Sequence, residues 1–117
     1  MALRRKMLVA ALSATVLATG LTLTAAGPAA AASCPSSASP VIPGAKAHWT
    51  LTCSGSTLKV YGWVEDTRAD DHCAFVSAHS GNGGHDSADV CGWGNRTNFD
   101  MAFPRTKTAE VRLWIAD

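Results

Sequence analysis

The sequence predicts an all-β protein, a small antiparallel β-sandwich or barrel of about six strands stapled by disulfides. Apolar and polar residues alternate with period two along most of residues 45–117, which is typical of half-buried strands. No stretch of that region shows the 3.6-residue period of an amphipathic helix. All four cysteines follow the N-terminal apolar segment, as in small exported domains that depend on disulfides.

Residues 1–32 have the three parts of a secretory signal peptide. A basic start at residues 4–6 precedes an uncharged and mostly apolar stretch, and the alanines at 30–32 offer a cleavage site. The Gly27-Pro28 pair interrupts the apolar run, whereas a retained spanning helix needs about 20 continuous apolar residues. We therefore expect a secreted, extracellular protein that has no membrane attachment after cleavage.

Cleavage after Ala32 would leave 85 of the 117 residues, enough for one domain. Residues 33–44 are rich in Ser, Pro and Ala and predict an irregular arm, and residues 45–117 predict the β-sandwich domain. Three of the ten Lys and Arg residues belong to the leader, so seven remain against nine acidic residues, a net charge of −2. This balance does not favour a nucleic-acid partner.

Turn residues predict how the four cysteines pair. The Asn82-Gly83 dipeptide, a strong hairpin signal, lies midway between Cys73 and Cys91. The turn dipeptide Pro43-Gly44 lies midway between Cys34 and Cys53. We expect the disulfides Cys34–Cys53 and Cys73–Cys91, each closing its own loop. The absence of any C-x-x-C pair disfavours a zinc site.

Six segments predict strands in chain order: 47–53, 56–65, 73–79, 89–93, 97–103 and 109–115. The run of residues 65–71, in which Asp side chains cap their own backbone, predicts the connection between the second and third strands. Pro104 ends the fifth strand, since proline cannot donate to the ladder. The residues expected to point inward are Ala47, Trp49, Leu51, Cys53, Leu58, Val60, Gly62, Val64, Thr97, Phe99, Met101, Phe103, Ala109, Val111, Leu113 and Ile115.

Aromatic residues at outward positions are the main candidates for a binding site. Tyr61, Trp63 and Trp114 occupy the polar face of the alternation, and Arg112 is two residues before Trp114 on the same face. Exposed rings beside hydrogen-bonding groups suit stacking on a sugar ring, and Trp, Tyr and Arg also dominate protein interfaces. We expect a non-enzymatic protein that binds an extracellular glycan or protein through these residues. Burial of the rings by packing is the competing interpretation.

Two other functions stay open. An inhibitor of a secreted protease or amylase would use a loop such as Ser80–Asp86, because rigidity lowers the entropic cost of docking. A metal-assisted hydrolase would use His72, His79 and His85, which are close together in sequence around the hairpin.

Catalysis has little support in the sequence, and we expect no cofactor and no bound metal. There is no G-x-S-x-G motif. Glu65 or Glu110, with Arg112 and a histidine, supplies the residue types that small secreted nucleases use, but no spacing fixes their geometry.

The stretch Val60-Tyr61-Gly62-Trp63-Val64-Glu65-Asp66-Thr67-Arg68-Ala69-Asp70-Asp71-His72-Cys73-Ala74 carries a resemblance to known proteins. It resembles the small secreted, disulfide-containing proteins of filamentous actinobacteria, in which a similar strand and an Asp-rich turn precede a cysteine. Asp71 stands where those proteins usually have a turn glycine. The resemblance implies secretion and an all-β sandwich, and it carries no catalytic residues to this chain.

Overall fold

The computed structural model describes residues 30–117, and almost all of the expected signal peptide lies outside these residues. The described chain forms nine strands and no helix. The strands are β1 Ala30–Ser33, β2 Ser36–Ala38, β3 Val41–Ile42, β4 Ala45–Ser54, β5 Thr57–Asp66, β6 Cys73–Ser80, β7 His85–Cys91, β8 Arg96–Pro104 and β9 Thr108–Ala116. A helix with the length and apolar character needed to cross a membrane does not occur between residues 30 and 117.

The strands form two antiparallel sheets. One sheet has four strands in the order β1-β9-β6-β7. The other has the order β2-β4-β5-β8, and the two-residue β3 also pairs with β4. The all-β class, the antiparallel pairing and the disulfide staples predicted from the sequence are confirmed.

The core lies between the two sheets and is built from the alternating apolar positions. On β9, for example, Ala109, Val111 and Leu113 are buried while Glu110 and Arg112 are exposed. The buried apolar residues of both sheets form one cluster: Ile42, Ala45, Ala47, Trp49, Leu51, Leu58, Val60, Val64, Ala74, Val76, Ala78, Val90, Met101, Phe103, Ala109, Val111 and Leu113. Burial of this apolar surface is the main force that holds the sheets together.

Both predicted disulfides are present. Cys73 and Cys91 are direct partners on β6 and β7, with their Cα atoms 4.4 Å apart. Cys34 follows β1, where the chain passes from the four-stranded to the five-stranded sheet, and it is bonded to Cys53 near the end of β4. This second bridge therefore links the two sheets.

The segment 33–44, expected as an irregular arm, contains two short strands. Ser36–Ala38 pairs with Leu51–Trp49, and Val41–Ile42 pairs with Lys46–Ala45. Pairing satisfies the backbone groups along the outer edge of β4, which is a sufficient reason for strand formation in a segment with few apolar residues. The segment is therefore part of the sandwich.

The hairpin of β6 and β7 is longer than expected. The sequence predicted only a short segment near Asp89–Trp93, but β7 begins at His85 and pairs with β6 over seven residue pairs. Most side chains of β7 are exposed because it is an edge strand, so its apolar alternation is too weak to detect in the sequence. This longer strand brings His85 opposite His79.

Candidate ligand-binding pocket on the four-stranded sheet

The structure divides the four predicted ligand-binding residues between two surfaces. Tyr61 and Trp63 lie on β5, on the outer face of the five-stranded sheet. Arg112 and Trp114 lie on β9, on the outer face of the four-stranded sheet. Because the inner faces meet in the core, these outer faces are on opposite sides of the molecule. The single aromatic face expected from the sequence is therefore not formed.

The outer face of the five-stranded sheet has one accessible ring and one covered ring. Tyr61 is 42% exposed. Trp63 is half-buried, and the guanidinium carbon of Arg96 lies 3.7 Å from the centre of its ring, a cation–π contact. Nε and Nη2 of Arg96 both donate to Oε1 of Glu65, at 3.1 and 2.8 Å. Arg96 is thus held in place over the tryptophan.

Other polar groups on this face are also paired within the protein. Nζ of Lys59 lies 3.2 Å from Oδ1 of Asp100 on the neighbouring strand. Oγ of Ser39 and Nδ1 of His48 are hydrogen-bonded at 2.7 Å. A ligand that hydrogen-bonds to these groups would have to compete with their partners.

The outer face of the four-stranded sheet carries a cavity of about 270 Å³. Strand register places Glu110 opposite His79, and His79 opposite His85, so the three side chains form a row across β9, β6 and β7. Arg112 is opposite Ser77 in the next row. The cavity is lined by Ser77, His79, His85, Glu110, Arg112 and Trp114.

Trp114 forms a fixed wall of this pocket. Its indole stacks on Phe75, the opposite residue on β6, with ring centres 4.4 Å apart and planes inclined by 15°. Nε1 of Trp114 donates a hydrogen bond of 2.8 Å to Oγ of Ser77. The stack and the hydrogen bond set the position of the ring before any ligand arrives.

Four exposed polar side chains line the pocket together with the indole: His79, His85, Glu110 and Arg112. Within residues 30–117, none of these side chains forms a hydrogen bond or an ion pair with another residue. No side chain or backbone group of this part of the chain therefore occupies their donors and acceptors. This is the principal difference from the outer face of the five-stranded sheet.

The three histidines considered for a metal-assisted hydrolase are not together. His72 precedes β6 and pairs through Nδ1 with Oδ1 of Asp117. His79 is seven residues further along an extended strand, about 23 Å away. Across residues 30–117, no group of three or more His, Cys, Asp or Glu side chains is arranged to hold a metal ion.

The loop Ser80–Asp86, considered for an inhibitor, is braced by hydrogen bonds. Oγ of Ser80 donates to Oδ1 of Asn82 and accepts from the Gly84 amide, both at 2.7 Å. Nδ2 of Asn82 donates to the carbonyl oxygens of Pro104 and Arg105. The Cys73–Cys91 bridge lies at the far end of the hairpin, so it does not brace this loop directly.

Trp93 is a prominent residue that the sequence reasoning missed. It is 72% exposed in the turn between β7 and β8. The flanking Gly92 and Gly94 have φ values of 98° and 83°, which glycine adopts without the strain of a side chain. The sequence prediction placed Trp93 at the end of a short strand over 89–93, but that strand ends at Cys91. The glycines on both sides of Trp93 were the available signal for a turn with an exposed ring.

No protein-family model, no curated protein and no solved structure matches the chain.

Proposed function

We propose that the protein is an extracellular, non-enzymatic binding protein that takes a saccharide into the pocket of the four-stranded sheet. The observation that carries this proposal is that the fixed indole of Trp114 shares a cavity with four polar side chains that have no partner in the described chain. The indole offers an apolar surface for a sugar ring. Glu110, Arg112 and the imidazoles supply acceptors and donors for its hydroxyl groups.

The size and exposure of the pocket favour binding over catalysis. A cavity of about 270 Å³ has room for a small ligand or part of a chain. Its four polar side chains are exposed, whereas acid–base catalysis usually employs groups in a site that excludes water. Two disulfides in a small domain are consistent with an extracellular location.

The test measures how much purified protein pellets with insoluble chitin, cellulose or peptidoglycan. The pocket variants are Arg112→Ala and Glu110→Gln, which change exposed side chains and leave the core intact, and Trp114→Phe, which retains an aromatic ring. We expect Arg112→Ala to weaken binding to the selected polymer by about 2 kcal/mol, or about thirtyfold.

The matched control is Tyr61→Ala together with Trp63→Ala on the opposite face. These changes should leave pelleting unchanged if the ligand occupies the pocket. Loss of pelleting in the control and not in Arg112→Ala would indicate that the binding site is on the five-stranded sheet. Absence of pelleting with every polymer would count against a structural polysaccharide as the ligand.

A second candidate is inhibition of a secreted hydrolase, and the exposure of Trp93 favours it. Tryptophan is among the residues that dominate the binding energy of protein interfaces, and the hydrogen bonds that brace this turn lower the entropic cost of docking. Inhibition of a protease or amylase that is abolished by Trp93→Ala, while Arg112→Ala has no effect, would support this function. A broad panel of secreted hydrolases without inhibition would contradict it.

A further inference from the structure

The two histidines of the pocket form a close pair. His79 and His85 are direct partners on β6 and β7, and their ring centres lie 4.6 Å apart with planes inclined by 42°. Both side chains are exposed, and neither is hydrogen-bonded to another residue of the described chain. The two rings are thus adjacent and exposed, and they have no hydrogen-bond partner within residues 30–117.

This spacing suits chelation of one metal ion. Imidazole nitrogens bind Zn²⁺ at about 2.0–2.1 Å, so two such nitrogens on one ion are separated by about 3 Å. Rings whose centres lie 4.6 Å apart can each direct one nitrogen to a common point after a small rotation about the side-chain torsions. Imidazole is a preferred ligand of Cu²⁺, Ni²⁺ and Zn²⁺.

The surrounding structure holds the pair in place. The hairpin of β6 and β7 is closed by the Cys73–Cys91 disulfide at one end and by the hydrogen bonds of Ser80 at the other. Binding would therefore require little ordering of the backbone.

Two side chains of opposite charge, Glu110 and Arg112, lie near the histidine pair. Glu110, opposite His79, places a negative charge one strand away, and Arg112 lies two residues further along the same face. Since no three-ligand group is present in residues 30–117, water would complete the coordination shell.

We propose that His79 and His85 form a two-imidazole site for a late first-row divalent cation, with Cu²⁺ held more tightly than Zn²⁺. The site goes beyond saccharide binding and does not depend on it, since both imidazoles are in place without any glycan.

The experiment is equilibrium dialysis of the purified chain, first freed of metal with a chelator, against Cu²⁺ or Zn²⁺. We expect about one Cu²⁺ per chain and a higher midpoint concentration for Zn²⁺. His79→Ala and His85→Ala should each lose this ion. The matched controls are His48→Ala and His72→Ala, which remove the other two histidines and should retain it. Electron paramagnetic resonance of the Cu²⁺ form should show coupling to two imidazole nitrogens.

Retention of Cu²⁺ by both pocket variants, loss in either control, or no binding by the unmodified chain would overturn the proposal. Circular dichroism checks that each variant is folded, and His85→Gln repeats the test if an alanine variant is not. Binding should weaken as the pH falls, since protons compete for the imidazole nitrogens. Pelleting with glycans is also measured in the presence of chelator. This measurement tests the saccharide site without any bound metal, so a failure of the metal site and a failure of the saccharide site can be distinguished.

Discussion

Asp66 is the buried carboxylate that joins two loops at one end of the sandwich. It is 1% exposed, and its two carboxylate oxygens accept hydrogen bonds from the amides of Arg68 and Gly92, each at 3.0 Å. Its backbone amide donates to the carbonyl oxygen of Asn95, and its carbonyl oxygen accepts from the Gly94 amide. The sequence predicted only that Asp side chains in residues 65–71 cap their own backbone, and the bond from the Arg68 amide is one such cap. The bonds across to residues 92–95 brace the turn that displays Trp93.

Replacing Asp66 by alanine should destabilise the fold strongly. The change leaves the amides of Arg68 and Gly92 without their acceptor and removes two charge-assisted hydrogen bonds. We expect a loss of roughly 2–4 kcal/mol in the free energy of unfolding, measured by urea denaturation. Asp89→Ala, which removes an exposed carboxylate from β7, is the control and should change stability little. Equal effects of the two substitutions would contradict the bracing role of Asp66.

At the scale of elements, the two disulfides have different structural roles. Their sequence separations are 19 and 18 residues, so a chain-entropy argument gives both about the same stabilisation, roughly 3 kcal/mol. Cys34 and Cys53 pack against the core and link the two sheets. Cys73 and Cys91 lie on the outer face of one hairpin, and Cys91 is exposed.

Removing the Cys34–Cys53 bridge should therefore cost more than removing the Cys73–Cys91 bridge. The double variant Cys34→Ala/Cys53→Ala loses apolar contacts with the core as well as the covalent restraint, an additional cost of about 1 kcal/mol. Urea denaturation of the two double variants, compared with the unmodified protein, measures both losses. Equal losses would show that core contact by the sulfur atoms contributes nothing.

At the scale of the whole molecule, the first strand of the four-stranded sheet, β1, overlaps the end of the expected signal peptide. Ala30–Ser33 pairs with Val111–Thr108 on β9, and Ala32 packs against the core. Cleavage after Ala32, as the sequence predicts, would remove three of the four residues of β1. The edge of β9 would then be unpaired.

A chain that starts at Ser33 should accordingly be less stable than one that starts at Ala30. We expect a difference of about 1–2 kcal/mol in the free energy of unfolding, because strand hydrogen bonds and the contact of Ala32 with the core are lost. Denaturation of both chains measures this difference in the free energy of unfolding. Ala31→Ser in the longer chain changes an exposed side chain and serves as the control. Identical stabilities would show that β1 contributes nothing, and the intact mass of the secreted protein reports where cleavage occurs.

The sequence by itself determined the features that depend on local chain geometry. Period-two alternation assigned Val60 and Leu113 to the core and Tyr61 and Arg112 to the outside, because successive side chains of a strand point to opposite faces. Turn dipeptides midway between cysteines determined both disulfides, because a hairpin places residues equidistant from its turn opposite each other.

Only the tertiary structure decided which strands share a sheet, and therefore which outer residues share a face. Alternation separates inside from outside but does not distinguish two sheets, so Trp63 and Trp114 appeared equivalent in the sequence. The alternation also gave no reason for a glycine at position 62. In the structure, a Cβ atom at this position would overlap the carbonyl oxygen of His48 on the neighbouring strand. The row of Glu110, His79 and His85 exists because β6 lies between β7 and β9 in a particular register. That order is set by packing between residues distant in sequence.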